Sequence, residues 1–118
     1  MKKILVADDD QRISFLMQVR LEEKGYQVIT AKDGEEALEK TRELKPDLLI
    51  LDVRMPKMDG DDVYLTLRSF TETRRLPIFM LTGLRTESEI EENHEENIFA
   101  KPVNFDALFS RIKTTLGE

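Results

Sequence analysis

The side chains best suited to chemistry in this chain stand at the ends of four short apolar runs. They are three consecutive aspartates (Asp8, Asp9 and Asp10), a single aspartate (Asp52), a threonine (Thr82) and a lysine (Lys101). Together they offer carboxylates, one hydroxyl and one ammonium, with neither histidine nor cysteine among them. If the fold brings the four run ends together, these groups form one polar cluster on an apolar framework.

Such a cluster suits phosphoryl transfer better than acid–base chemistry on carbon. Two carboxylates ~4 Å apart repel each other by roughly 4 kcal/mol at an intermediate dielectric, and a bound cation relieves that repulsion. Oxygen ligands without His or Cys favour Mg²⁺, or alternatively Mn²⁺, over zinc. A carboxylate can itself attack phosphorus and form an acyl phosphate. The cation, Lys101 and the Thr82 hydroxyl would then stabilise charge on the phosphoryl oxygens.

Strand-type runs alternate with amphipathic helical segments along the chain. The runs cover residues 4–7, 28–29, 48–51, 77–81 and 98–100. The third run is apolar at every position, which is typical of a strand covered on both faces, as in a parallel sheet. Right-handed crossovers between such strands place helices on both sides of the sheet. The pattern predicts a doubly wound α/β fold with five parallel strands.

Residues with known capping preferences bound the helical segments. Gly25 stands where a C-cap glycine is expected, Asp33-Gly34 predicts a turn, Pro46 ends the second helix and Asn104 is a candidate N-cap for the last helix. In open α/β sheets the functional site lies at the carboxyl ends of the strands, where the strand order reverses. The polar residues above occupy those ends, so the sequence predicts one site at that edge.

Composition excludes several classes of function. The 118 residues fit one domain. A net charge of −6 argues against a binder of nucleic-acid backbones. The absence of cysteine rules out disulfides, thiol nucleophiles and cysteine–zinc sites. No apolar stretch approaches the length of a membrane span. We therefore expect a soluble cytoplasmic protein that binds neither nucleic acid nor membrane through this domain.

The run Asp-Val-Arg-Met-Pro-Lys-Met-Asp-Gly at residues 52–60 resembles the hallmark loop of response-regulator receiver domains (CheY-like). The acidic cluster after the first strand, Thr82 followed by a small residue, and Lys101-Pro102 match the family's other signatures in the same order. The resemblance covers residues 1–118 as one receiver domain. It implies a flavodoxin-like (βα)5 sheet and a role in two-component phosphorelay signalling.

The resemblance also implies a metal site and an acceptor. Asp52 matches the residue that accepts the phosphoryl group and also contacts the metal. Asp8 and Asp9 match the acidic pair that holds Mg²⁺, Asp9 more directly, and the backbone carbonyl of Arg54 matches a further metal contact. In such domains the protein assists its own phosphorylation and dephosphorylation, so we do not expect an enzyme acting on other substrates.

The remaining matches concern the switch and the partners. Thr82 matches the hydroxyl that turns toward the phosphoryl group, Lys101 matches the lysine that pairs with it, and the bond before Pro102 is cis in the family. In the family, the positions that Arg54 and Leu84 match tune the lifetime of the acyl phosphate. The implied donor is a sensor histidine kinase or a phosphotransfer protein. The downstream target, and the choice between a monomer and a phosphorylation-dependent dimer, stay open.

The chain departs from the family in two places. The segment between Thr82 and Lys101 is shorter by roughly one helical turn, which predicts a short, tilted or irregular helix between the fourth and fifth strands. The family usually has an aromatic residue three places before the lysine, whereas this chain has Ile98 there and Phe99 next. Since neighbouring strand residues point to opposite faces, Phe99 is expected to face the core. A switch would then be an order–disorder change within residues 84–97.

Two other functions remain open from the sequence. A degenerate receiver would act as a phosphorylation-independent interaction module. A Mg²⁺-dependent phosphohydrolase would use an aspartate nucleophile on a similar sheet, but such enzymes generally carry a second acid two residues later, where this chain has Arg54. His94, in a polar run, and Asp10 are expected to be solvated.

Overall fold

A computed structural model of the chain describes residues 1–86, 89–90 and 97–118. The strands are β1 (Lys3–Ala7), β2 (Gln27–Ala31), β3 (Leu48–Asp52), β4 (Ile78–Thr82) and β5 (Ile98–Ala100), and the helices are α1 (Gln11–Glu23), α2 (Gly34–Leu44), α3 (Gly60–Ser69) and α4 (Phe105–Leu116). Residues 87–88 and 91–96 lie outside the described residues. The irregular helix expected before β5, and the order–disorder change expected of it, fall largely on them. The expected solvation of His94 falls wholly on them.

All five strands are parallel and form one sheet in the order β2-β1-β3-β4-β5. The chain moves from β1 outward to β2 and then returns to β3 on the other side of β1. This is the doubly wound flavodoxin-like arrangement that the sequence predicts. The strand order therefore reverses between β1 and β3, and doubly wound sheets generally bind their ligands beyond the carboxyl ends of the strands at such a point.

Alternating side chains of the strands divide between two cores, one on each face of the sheet. In β3, Leu48 and Ile50 pack with α1 and α4, while Leu49 and Leu51 pack with α2 and α3. All four side chains are fully buried, which explains why this strand is apolar at every position. The two cores fix the strand ends, and with them the polar residues that follow.

Short polar side chains start three of the helices. The carboxylate of Asp10 accepts a hydrogen bond from the Arg12 amide (3.0 Å), and the amide oxygen of Asn104 accepts one from the Ala107 amide (3.1 Å). Asp33 caps α2 by accepting from the Glu36 amide (2.8 Å). Each satisfies an N–H that the helix itself leaves unpaired. The Asn104 prediction is thus confirmed.

One expectation about an acidic residue needs correction. The sequence predicts a turn at Asp33-Gly34, but Asp33 is the N-cap and Gly34 the first residue of α2. The error arises because an aspartate that bonds to the next residues' amides looks the same in sequence at a turn and at a helix start. Asp10, expected to be a solvated third acid, keeps 34% of its side chain exposed and in addition caps α1. Among the described helices, none is long and apolar enough to cross a membrane.

Phe99 is partly buried and packs against the core, on the side that its position in β5 predicts. Its ring packs against that of Phe79, with centroids 5.1 Å apart, and Phe79 belongs to the buried cluster covered by α1 and α4. Ile98 packs on the opposite face of the sheet, against the cluster that contains Met80. The aromatic ring therefore sits among apolar side chains on the face away from Ile98.

We predict that Phe99→Leu destabilises the domain by about 1 kcal/mol, because it removes the aromatic pair with Phe79 and part of the apolar contact. Urea unfolding followed by circular dichroism measures the change. The matched control is Phe15→Leu, since Phe15 is 67% exposed. Equal stability of the two variants would contradict the assignment of Phe99 to the core.

Candidate functional site

Lys101 joins the carboxyl ends of strands that are far apart in the sequence. Its Nζ lies 3.0 Å from Oδ1 of Asp52 and 3.3 Å from Oδ2 of Asp8. Asp8 follows β1 and Asp52 ends β3. The two strands are neighbours, with Ala7 opposite Leu51. Lys101 follows β5, where its amide donates to the Thr82 carbonyl (2.8 Å). The sheet thus brings together three of the predicted residues in direct contact.

Asp8 is the most deeply buried of the three aspartates at the site, with 1% of its surface exposed. Its amide donates to the Ala31 carbonyl (3.1 Å), and the Ser14 hydroxyl donates to its carbonyl oxygen (3.2 Å). One carboxylate oxygen accepts from the Asp10 amide (2.9 Å), while the other faces Lys101. Every polar group of Asp8 therefore has a partner, so the carboxylate is held in one orientation. No pattern in the sequence pointed to the part that Ser14 plays.

Three carboxylates form a group that could hold a metal ion. One oxygen each from Asp8, Asp9 and Asp52 lies within 4.8 Å of the other two. Asp8 and Asp52 are buried, whereas Asp9 is exposed. Lys101 offsets one of the three negative charges, so a hard divalent cation would still gain strong attraction there. The all-oxygen donor set fits Mg²⁺ or Mn²⁺.

Burial and charge oppose each other at this site. Removal from water raises the pKa of Asp52, and the negative charge of Asp8 raises it further, while the hydrogen bond from Lys101 acts in the opposite direction. Burial alone would lower the pKa of Lys101, but the hydrogen bond to Asp52 and the charges of both aspartates raise it. Lys101 is therefore a stable ammonium, and the ionised Asp52 carboxylate is held at a cost to the folded state.

Thr82 ends β4 beside the acidic group, and its hydroxyl already has a partner. The side chain is 5% exposed, and its Oγ1 accepts a hydrogen bond from the Leu84 amide (3.1 Å). Leu84 itself is 65% exposed in the loop that follows. A hydroxyl that turned toward the acidic group would release the Leu84 amide, so Thr82 connects the site to this loop.

The loop after Asp52 is held close to the strand by Gly60. The Gly60 amide donates to the Val53 carbonyl (2.8 Å), and a Cβ at Gly60 would lie 2.9 Å from the Val53 Cα. Within the loop Met55 is buried in the core covered by α2 and α3, whereas Arg54 is exposed two residues beyond Asp52. The Lys101–Pro102 peptide bond is cis, in agreement with the family pattern.

Comparison with known proteins connects this geometry to a family. The sequence matches the family described as "Response regulator receiver domain" over residues 4–113. It is 43% identical over 98% of its length to the alkaline phosphatase synthesis transcriptional regulatory protein PhoP of Bacillus subtilis, and 39% identical over 98% to the transcriptional regulatory protein CpxR of Escherichia coli. The chain covers 48% and 50% of these two proteins, so it spans about half the length of the curated relatives it matches.

Solved structures share the fold across nearly the whole chain. The Francisella response regulator 1452 receiver domain superposes with a TM-score of 0.86 and 28% identity, covering 99% of this chain and 98% of that one. The chemotaxis protein CheY4 of Vibrio cholerae superposes with a TM-score of 0.82 and 31% identity, covering 98% of each chain. The likeness therefore extends to every strand that carries a site residue.

We predict that Asp52→Asn raises the melting temperature of the metal-free domain at pH 7. Because the folded-state pKa of Asp52 lies above its unfolded value, ionisation costs the folded state stability as pH rises through that window. Asparagine cannot ionise, and Lys101 keeps Asp8 as a partner. Thermal unfolding in chelator measures the gain.

The pH dependence provides the sharper comparison. The advantage of Asp52→Asn should shrink as pH falls through the folded-state pKa of Asp52, since the wild-type carboxyl is then neutral as well. Asp59→Asn is the control, because Asp59 is exposed and its side chain makes no cap hydrogen bond. A wild-type protein at least as stable as the Asp52 variant at pH 7 would contradict the prediction.

Proposed function

Because the chain belongs to the family of response regulator receiver domains, we propose that it accepts a phosphoryl group on Asp52 in a Mg²⁺-dependent reaction. The observation that supports this most directly is the contact of Lys101 with both Asp52 and Asp8 beside a third carboxylate, Asp9. The proposed donor is a sensor histidine kinase or a phosphotransfer protein. The proposed receiver unit comprises residues 1–118.

Asp52 is the nucleophile of the proposed reaction. A carboxylate oxygen attacks phosphorus, the bond between phosphorus and the donor atom breaks, and the donor leaves with its electron pair. The product is an acyl phosphate on Asp52. Burial and the Asp8 charge raise the pKa of Asp52, which makes its oxygens more basic than those of an exposed aspartate. Hydrolysis later returns the carboxylate and inorganic phosphate.

Lys101 and Thr82 take the proposed supporting roles. Lys101 already lies 3.0 Å from Asp52, so its ammonium can pair with a phosphoryl oxygen attached there and neutralise part of the added charge. The Thr82 hydroxyl donates to another phosphoryl oxygen once it turns away from the Leu84 amide. That rotation would leave the Leu84 amide to find a new acceptor and so would alter the loop after β4.

Asp8, Asp9, Asp52 and the Arg54 carbonyl are the proposed ligands of Mg²⁺. Bound there, the ion supplies positive charge to the phosphoryl oxygens and offsets the repulsion between an incoming phosphate and the acidic group. Asp8 is suited to its part because its own hydrogen bonds fix the carboxylate. Asp9 is suited because its exposed carboxylate is in contact with water and can bind the ion in place of that water.

The proposed donor docks beside the acidic group, on α1. Phe15 and Leu16 are 67% and 48% exposed, and α1 starts at Gln11, directly after the aspartates. Two adjacent exposed apolar side chains are suited to the apolar face of a partner helix.

The relatives named above are transcriptional regulators, and we propose that phosphorylation changes how this domain binds a downstream protein. A cytoplasmic location, and the choice between monomer and phosphorylation-dependent dimer, stay predictions from the sequence.

The proposal predicts covalent phosphorylation by a small donor. After incubation with acetyl phosphate and Mg²⁺, intact mass should show a labile gain of one phosphoryl group. Asp52→Asn should show no gain, nor should the wild type in the presence of a chelator. A folded, metal-supplied wild type without any gain would contradict the proposal and favour a phosphorylation-independent interaction module.

The docking surface is tested by comparing two donors. Phe15→Ala should accept phosphate from acetyl phosphate at the wild-type rate, but should react about tenfold more slowly with a histidine kinase that phosphorylates the wild type, because an apolar anchor is lost. Leu65→Ala on α3 is the control, since Leu65 is equally exposed at 65% but lies on another helix. Equal loss with both donors, or loss in the Leu65 variant, would contradict docking on α1.

A further inference from the structure

The start of α2 contacts the loop that follows Asp52 so closely that position 34 has no room for a side chain. A Cβ built on Gly34 would overlap the carbonyl oxygen of Met58 and lie 2.6 Å from its carbonyl carbon. The Gly34 amide also points at the carbonyl oxygen of Pro56, 3.5 Å away. The two atoms nearest to such a Cβ belong to the Met58 backbone, so the overlap cannot be relieved by moving a flexible side chain.

Charge and capping hold the same two segments together. Asp33 is only 5% exposed, and one of its oxygens caps α2 through the Glu36 amide (2.8 Å). Its other oxygen lies 3.7 Å from Nζ of Lys57, which belongs to the loop. Lys57 has a φ of 68°, a left-handed conformation that is uncommon outside glycine and that the surrounding contacts must maintain. One residue pair, Asp33-Gly34, therefore starts a helix and supports the loop.

The loop, residues 53–59, is thus held at two places. At its end, Gly60 lies against Asp52 and Val53 and donates to the Val53 carbonyl (2.8 Å). In its middle, Pro56 and Met58 lie against Gly34, and the Met58 amide donates to the Pro56 carbonyl (2.7 Å). Arg54 lies between Val53 and these contacts. The position of its backbone is therefore set by two glycines that belong to different helices.

We propose that Gly34 is a positioning residue for the metal site: by letting the start of α2 lie against Pro56 and Met58, it places the backbone of Arg54 where its carbonyl can complete the ligand set. This inference rests on the proposed function and extends it to a residue outside the acidic group. Gly34 is itself neither the acceptor nor a ligand, and it acts through the loop.

The size of the effect follows from what the ion demands. Mg²⁺ requires near-ideal octahedral geometry with short bonds, so displacing one ligand weakens binding sharply. Residues that orient metal ligands from outside typically change metal affinity by about 10–100-fold when replaced. A Cβ at Gly34 would have to push the loop backbone away. We therefore expect Gly34→Ala to weaken Mg²⁺ binding by about tenfold or more.

Thermodynamic linkage supplies a second consequence that needs no substitution. If contact with α2 favours the metal-binding form of the loop, then the metal must favour the contact with α2 to the same extent. Binding of Mg²⁺ to the wild type should therefore protect the Gly34 amide, which faces the Pro56 carbonyl. We expect its hydrogen exchange to slow by about fivefold at saturating Mg²⁺.

The experiment titrates MgCl₂ into the wild type, Gly34→Ala and Gly25→Ala, and follows backbone amide shifts of residues 9 and 53 by NMR. Gly25 is the matched control, because it has a φ of 95° and a Cβ added there would have nothing within 4 Å of it. Alanine there strains the turn after α1 and costs stability without touching the loop. Thermal unfolding in chelator compares the stability losses of the two variants.

The expected result is that Gly34→Ala binds Mg²⁺ about tenfold more weakly while Gly25→Ala stays within about twofold of the wild type. Wild-type affinity in a folded Gly34→Ala would overturn the inference and leave the proposed function intact. A wild type that binds no Mg²⁺ would overturn the proposed function and this inference with it. If Gly34→Ala does not fold, the exchange of the wild-type Gly34 amide decides, and an exchange rate unaffected by Mg²⁺ would overturn the inference.

Discussion

The contact of one ammonium with two buried carboxylates is the interaction on which the site depends. Asp8 and Asp52 are 1% and 6% exposed, and without a cation between them their repulsion would be severe at that depth. Lys101 lies within 3.3 Å of both. It offsets only part of the negative charge once Asp9 is counted, so the edge of the sheet stays attractive to a divalent cation.

The rest of the fold keeps these charges where they are. The two cores fix β1 and β3 as neighbours, which places Asp8 beside Asp52. Capping at Asp10 and Asp33 starts two helices at the same edge of the sheet. Close backbone packing at two glycines then brings the loop after Asp52 back over the strand. The site residues are therefore held in place by the sheet and by the helices that start beside it, which suits chemistry that relies on positioned charge.

In the proposed function, a signal would have to leave the site without an aromatic side chain at position 98. Phe99 is packed against Phe79 on one face, and Ile98 occupies the other. Position 98 carries isoleucine rather than an aromatic side chain. One contact that connects the site to the surrounding loop is the hydrogen bond that the Leu84 amide donates to the Thr82 hydroxyl. A hydroxyl that can serve either the loop or a phosphoryl oxygen offers two alternatives, which is what a two-state element requires.

Local patterns in the sequence were sufficient to predict the five parallel strands, their order of appearance and the residues at their ends, because hydrophobic periodicity and strand-end polarity are local signals. The alternation of side chains along a strand also predicted that Phe99 packs toward the core and away from the face of Ile98. Packing in three dimensions was needed to show that Asp33 and Gly34 begin a helix and support the loop near Met58, that Ser14 bonds to Asp8, and that Lys101 spans two carboxylates. Most of those contacts join residues distant in sequence, and their geometry depends on how the helices pack on the sheet rather than on any local pattern.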